Sequence, residues 1–164
     1  MIRFSDVNRP DDAEYNPSYQ RHHLIPLQVR SMFDLTESLD PGSRNELCLD
    51  DFANNGLLLP CEEREAMRTG RPLHRGPHPR YNILVMERMA NIFRLRNRLS
   101  DAKERSDFFR FRIRSLQNGL RHGLIQNRFL NLTLNRRDPF KNRMNFQQLD
   151  TKIDELWATT RIDS

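Results

Sequence analysis

Arg21-His22-His23-Leu24-Ile25-Pro26 and, further along, His74-Arg75-Gly76-Pro77-His78-Pro79-Arg80-Tyr81-Asn82 hold four of the five histidines in this 164-residue chain. His22-His23 is one pair, His74-x-x-x-His78 is a second, and His122 stands apart. Imidazole is the commonest protein ligand for borderline transition metals and the side chain whose unperturbed pKa suits a base near neutrality. Neighbours on an extended segment point to opposite faces. His22 and His23 therefore cannot both bind one metal from a regular strand, but they can divide the work, one holding a metal and one serving as base, if the strand bends there. A second grouping, Cys48-x12-Cys61-x12-His74-x3-His78, has the composition of a structural zinc site. A zinc finger needs its first two cysteines about two to four residues apart, so the spacing favours a catalytic metal site over a structural one or over incidental surface histidines.

Outward from these clusters the chain reads as three regions. Residues 1–19 form a polar lead with two prolines and no apolar period, expected to be extended or disordered, or a junction to a larger protein. Residues 20–82 are irregular. His23-Leu24-Ile25-Pro26 predicts a short strand, 29–39 a short helix closed by Asp40-Pro41-Gly42-Ser43, and 46–52 a further helical turn. Asn54-Asn55-Gly56 is a turn signal before an apolar strand, Leu57-Leu58-Leu59-Pro60, and residues 71–79 read as a loop whose Pro79 opens a helix.

From there the chain is helical. Ile83, Met86, Ala90 and Phe93 carry a helix over 79–98. Ser100 is placed to cap a second helix with Phe109, Ile113, Leu116 and Leu120 on its apolar stripe, which Gly119 or Gly123 should end or loosen. A last helix is expected over 146–160, with Leu149, Ile153, Leu156 and Trp157. The stripes, including Phe108, Phe109, Phe111 and Trp157, read as packing surfaces before base-stacking ones. Tyr81 is expected to pack the helix against the strands, Asn82 to pin the loop, and His122 to lie at the surface.

Hydrophobic residues make up 37% and charged residues 30%, which implies a modest core under a charged surface. No run approaches the ~18 apolar residues of a spanning helix, and no secretory signal is visible at the N-terminus. Two cysteines are too few to staple a chain of this size, so a reducing site of action is the simpler expectation. The formal charge of +5 conceals a division: residues 1–63 carry 5 Lys and Arg against 12 Asp and Glu, and residues 64–164 carry 22 against 10. The basic part suits a polyanion, and 24 of the 27 basic residues are Arg, whose planar fork matches phosphate. Arg71, Arg75 and Arg80 beside the second histidine cluster are candidates to hold flanking phosphates.

The three segments Arg21-His22-His23-Leu24-Ile25-Pro26, Asn55-Gly56-Leu57-Leu58-Leu59-Pro60 and His74-x-Gly76-x-His78-x-x-Tyr81-Asn82 resemble, in order and spacing, the AHH family of the HNH/endonuclease VII superfamily. Arg21 stands where the family's name has alanine. The resemblance, which covers about residues 21–90, implies a His-Me finger, a short β-hairpin and helix that hold one divalent metal. Together with the helical stripes further along, the expectation is an α+β, mostly helical chain whose finger occupies 20–98 and whose residues 99–164 are additional C-terminal helices packed on it. By the same resemblance His23 would be the general base, and Asn55 would orient it or help hold the site. His22 and His78 would be metal ligands, and His74 a ligand or substrate contact. Imidazole ligands favour Zn, Ni or Mn, while a water-rich shell admits Mg. No membrane partner is expected, since no run can span one, and no small-molecule cofactor. The family implies a nuclease, of DNA before RNA. It further implies a bacterial toxin made in the cytoplasm, exported by a specialised system to act in a target cell, and neutralised by a cognate immunity protein.

Overall fold

The computed structural model describes residues 1–33, 49–126 and 134–140. The expected helix over 146–160, residues 34–39 of the expected helix at 29–39, residues 46–48 of the next turn, and Cys48 lie outside these. The architecture is α+β. A strand β1 (Tyr19–His23) pairs antiparallel with β2 (Gly56–Pro60), in a register that sets Tyr19 opposite Pro60, His22 opposite Leu57 and His23 opposite Gly56. Between them lie α1 (Gln28–Met32) and α2 (Phe52–Asn55), and after them come α3 (Glu63–Thr69), α4 (Pro79–Arg96) and α5 (Ala102–Ile125).

The first strand lies earlier than the segment 23–26 expected from the apolar residues. Tyr19 to His23 pair with β2, the Leu24 amide makes one last bond to the Asn55 carbonyl at 2.8 Å, and from there the chain turns away, Leu24 and Ile25 both fully buried. Pro26 has no N–H to offer a ladder, and Leu24 and Ile25 enter the core that α4 and α5 share with the hairpin. The Asn54-Asn55-Gly56 signal is not a free turn but the end of α2, which Asp51 caps by accepting from the Ala53 amide at 3.3 Å. Gly56 runs straight on into β2, and a Cβ there would overlap the Phe52 ring.

The lead is ordered, against expectation. Phe4 starts a 3-10 turn (Phe4–Asp6) and is buried, Arg3 bridges to Asp51, and the Phe52 amide donates to the Ile2 carbonyl at 2.7 Å. Asn8 ties the rest, its Nδ2 donating to the carbonyls of Asn16 and Tyr19, both at 3.0 Å. Polar side chains satisfy the backbone here, so the segment needs no apolar period, only the one anchor at Phe4.

The stripe expected on α5 is buried as read, with Phe109, Ile113, Leu116 and Leu120 all in the core. On α4 the helix forms as expected but its buried face is another one: Ile83 is 56% exposed, Ala90 is exposed, Met86 and Phe93 are half-buried, and Tyr81, Leu84, Val85, Met89 and Ile92 pack inward. Pro79 stands at the first position of α4, and α5 starts under an Asp101 cap, which accepts from Glu104 N at 2.7 Å, one residue beyond the expected Ser100. Gly119 and Gly123 neither end nor loosen α5, which runs through both to Ile125 and buries them. A glycine costs a helix about 1 kcal/mol relative to alanine, whereas each fully buried large apolar side chain contributes about 1.5–3 kcal/mol. Phe109, Leu116, Leu120 and Leu124, all fully buried on this helix, outweigh the two glycines. Gln117 and Arg121 of α5 reach back to the hairpin. The Arg121 guanidinium donates to the carbonyls of Gly56 at 2.9 Å, Ala53 at 2.7 Å and Asn54 at 3.1 Å, closing the end of α2. The unanticipated α3 has its own signals, acidic residues in the first turn, Arg68 in the last and Gly70 in the left-handed conformation after it (φ 69°).

Candidate metal centre

Alternation along β1 decides which histidine meets the second cluster. His22 points inward and is 2% exposed, while His23 turns to the other face. The loop 71–78 comes back over the inward face. The His74 amide donates to the Pro60 carbonyl at 2.7 Å, continuing from the end of β2, and His78 sits at the N-terminus of α4. His22, His74 and His78 thereby converge, each offering one ring nitrogen, and the three nitrogens lie within 4.8 Å of one another. Ring centroids are 4.9 Å apart for His22 and His74, 5.1 Å for His22 and His78, and 4.8 Å for His74 and His78.

The chemistry of this triad fits a cation. Nε2 of His22, Nδ1 of His74 and Nδ1 of His78 are buried and have no hydrogen-bond partner. Buried polar atoms without partners are costly, and one on each of three converging rings fits a shared ligand. Burial, first of all, pushes His22 well below the ordinary imidazole value, and the neighbouring His74, His78 and His23 push it further. Burial and His78 lower His74 to about 4. Burial also lowers His78, against the pull of a backbone hydrogen bond at Gly76. The rings are thus held neutral near pH 7, the form that coordinates a metal.

Tyr81, one turn into α4, packs edge-on against His22 at 4.9 Å, and its hydroxyl donates to the Leu24 carbonyl at 2.6 Å, joining the helix to the end of β1. Asn82 does not visibly pin the loop through its oxygen: Oδ1 is buried without a partner. Asn55 is fully buried. Its Oδ1 accepts from the Ile25 amide at 2.9 Å and from Gln117 Nε2 at 3.3 Å, and its Nδ2 donates to the carbonyls of Ile25 at 3.0 Å and Leu49 at 2.9 Å. None of these bonds goes to His23; they clamp the chain just beyond the histidine pair.

His23 lies outside the triad. Its ring stacks on Phe4, and Nε2 is buried without a partner. Burial lowers its pKa, with Asp50 pulling it up and Arg21 pushing it down. Arg75 and Arg80 are exposed on either side of half-buried His78. Arg71 is half-buried and turned toward β2, its Nη1 3.5 Å from the Leu58 carbonyl. His122 is exposed on α5. Cys61 is free, with its thiol donating to the Pro17 carbonyl at 3.3 Å, and it is not part of the triad. Phe4, Gln117 and the turn at 134–140 were not singled out by sequence. Asp138-Pro139 carries a turn signal, but nothing local says what that turn touches.

No helix of the described residues is long and apolar enough to cross a membrane. No curated protein and no solved structure matches this chain. A family model does, over residues 4–120, and it describes AHH as a nuclease family of the HNH/ENDO VII superfamily with conserved AHH. The match takes in the hairpin, the histidine triad and most of α5, and it covers well over half of the sequence: the chain belongs to the AHH nuclease family.

Proposed function

We propose that this protein is a metal-dependent endonuclease that hydrolyses phosphodiester bonds, with His22, His74 and His78 as the metal ligands and His23 as the general base. The observation that carries the reading is the convergence of three buried, unpartnered ring nitrogens beside a fourth histidine that faces away from them. A divalent ion held by the three rings would supply Lewis-acid charge for a phosphate oxygen and for the leaving 3′ oxygen. His23, neutral and with Nε2 unpartnered, takes the proton of the attacking water, a contribution of about 10²–10⁴-fold for a positioned base. Asn55 keeps the backbone at Ile25 fixed so that His23 and His22 hold their relative positions. Arg75 and Arg80, exposed beside His78, hold the flanking phosphates, and Arg71 joins them by turning away from the Leu58 carbonyl.

The substrate we propose is DNA, cut with little sequence preference, because the groups at hand recognise phosphate and not base edges. The net of +12 over residues 64–164 suits a polyanion and equally an acidic inhibitor. This supports a bacterial toxin delivered to a target cell and restrained in its producer by an immunity protein. The test is plasmid cleavage in a panel of Mg, Mn, Ni and Zn salts, with single-stranded RNA offered in parallel. His23→Ala is expected to lose cleavage by about 10²–10⁴-fold while still binding metal. Cleavage that persists in EDTA, or at full rate in His23→Ala, would sink the reading.

A further inference from the structure

We infer that the turn at residues 134–140 holds the metal loop in its ligating shape, with Asp138 and Asn135 acting as positioning residues for His74. The inference rests on the reading of His22, His74 and His78 as metal ligands. Asp138 is 4% exposed, and its Oδ2 accepts from the amide of Leu73 at 2.8 Å. Asn135 Nδ2 donates to the carbonyl of Arg75. The residues immediately before and after His74 are therefore both held by one turn lying some sixty residues further along the chain.

The turn is itself built to do this. The Asp138 amide donates to the Asn135 carbonyl at 3.2 Å, Asn135 Oδ1 accepts from Arg137 N at 2.8 Å, and Asp138 Oδ1 accepts from Phe140 N at 2.9 Å. Leu134, 4% exposed, anchors the turn in the hydrophobic core. The loop needs such support because it belongs to no helix or strand between α3 and α4 and carries Gly76 at φ 75°. β2 ties it on one side, through the Pro60 carbonyl, and the turn ties it on the other. A ligand carried on a loop must be held to about 0.5 Å for productive coordination, and partners outside the ligand set commonly set metal affinity. The turn lies beyond residue 120, where the family match ends, so this support is supplied by the chain's own tail.

The experiment is a Co²⁺ titration of the full chain, followed by its visible absorption, with thermal melts of the metal-free proteins. Asp138→Ala and Asn135→Ala are expected to weaken Co²⁺ binding by about tenfold or more and to alter the band intensities. Asp138→Asn keeps an acceptor for the Leu73 amide but gives up the one for the Phe140 amide, and is expected to recover part of the affinity. Asn135→Ala leaves the buried carboxylate in place and serves if Asp138→Ala does not fold; its own failure to fold would assign the turn a purely structural role and overturn the inference. Folded alanine variants with wild-type affinity and spectrum would overturn it as well. Wild-type protein that binds no Co²⁺ removes the metal reading and this inference together. Wild-type protein that binds Co²⁺ and cuts no nucleic acid removes the nuclease reading and leaves the positioning role standing.

Discussion

The ring of Phe4 lies flat on the imidazole of His23, with centroids 3.5 Å apart and 3° between the planes. Phe4 is in turn edge-on to Phe52 at 5.0 Å, and Arg21 Nη1 donates to the Phe4 carbonyl at 2.6 Å. A residue from a polar lead thus becomes one wall of the proposed base. Phe4→Ala is expected to destabilise the fold by about 3 kcal/mol, as truncation of a buried aromatic does. It should also lower kcat by several-fold and leave KM for DNA nearly unchanged. Melts and steady-state kinetics, run well below both melting temperatures, separate the two effects.

Gly56 lies opposite His23 in the hairpin and beneath the Phe52 ring. Gly56→Ala is expected to displace that ring, which touches Phe4 and through it the His23 stack. A loss of about 1–3 kcal/mol is expected, in the range for overpacking, accompanied by reduced cleavage. Wild-type stability in this variant would show that Phe52 can move aside freely.

Asn55→Ala leaves the Ile25 amide and the carbonyls of Ile25 and Leu49 without their buried partner. Each unsatisfied group costs about 1–3 kcal/mol, so the urea midpoint should drop by more than for any exposed-residue substitution. A variant with normal stability and no cleavage would instead give Asn55 a direct part in the chemistry.

Acid should destabilise the metal-free protein. Burial holds the three triad imidazoles below their ordinary value, His74 at about 4, whereas in the unfolded chain they titrate near about 6.5. Between those limits the unfolded chain binds more protons, so stability is full above about pH 6.5 and is lost as pH falls toward about 4. Melting temperatures in EDTA across this range should fall with pH, and His74→Gln, which removes one titrating group, should flatten the curve.

Salt should reveal which arginines neutralise phosphates. On duplex DNA the log–log salt slope of binding changes by about 0.9 for every phosphate that a protein charge neutralises. Arg75→Ala and Arg80→Ala are each expected to make the slope shallower by that amount, measured on His23→Ala protein so that the DNA stays intact. Unchanged slopes would return both arginines to ordinary surface charge.

What the sequence disclosed follows from range. His22-His23, His74-x-x-x-His78 and Pro79 speak locally, through rare residue types at fixed spacing, and the stripe of α5 repeats a period long enough to read. On α4 apolar residues occur all round the helix, so the period shows the helix but not that Leu84, Val85 and Met89, and not Ile83 and Ala90, face the core. The end of β1 was misplaced because Leu24 and Ile25 are apolar for the sake of the core and not of the ladder. Gly119 and Gly123 misled because packing overrides propensity. The lead has no apolar period because its order comes from polar links, Asn8 to Asn16 and Tyr19 within it and Ile2 to Asp51 and Phe52 far along the chain, around one phenylalanine. Asp138 was invisible for the same reason: its meaning lies in the amide of Leu73.

The grip of α5 on the hairpin bears on how such a unit can be passed between proteins. Arg121 holds the carbonyls at 53, 54 and 56, and Gln117 holds Asn55, so a graft cut after residue 98 would carry the histidines without the helix that keeps their strands in place. The smallest transplantable cassette is one that includes α5, and a recombination joint inside it would deliver a triad with no scaffold.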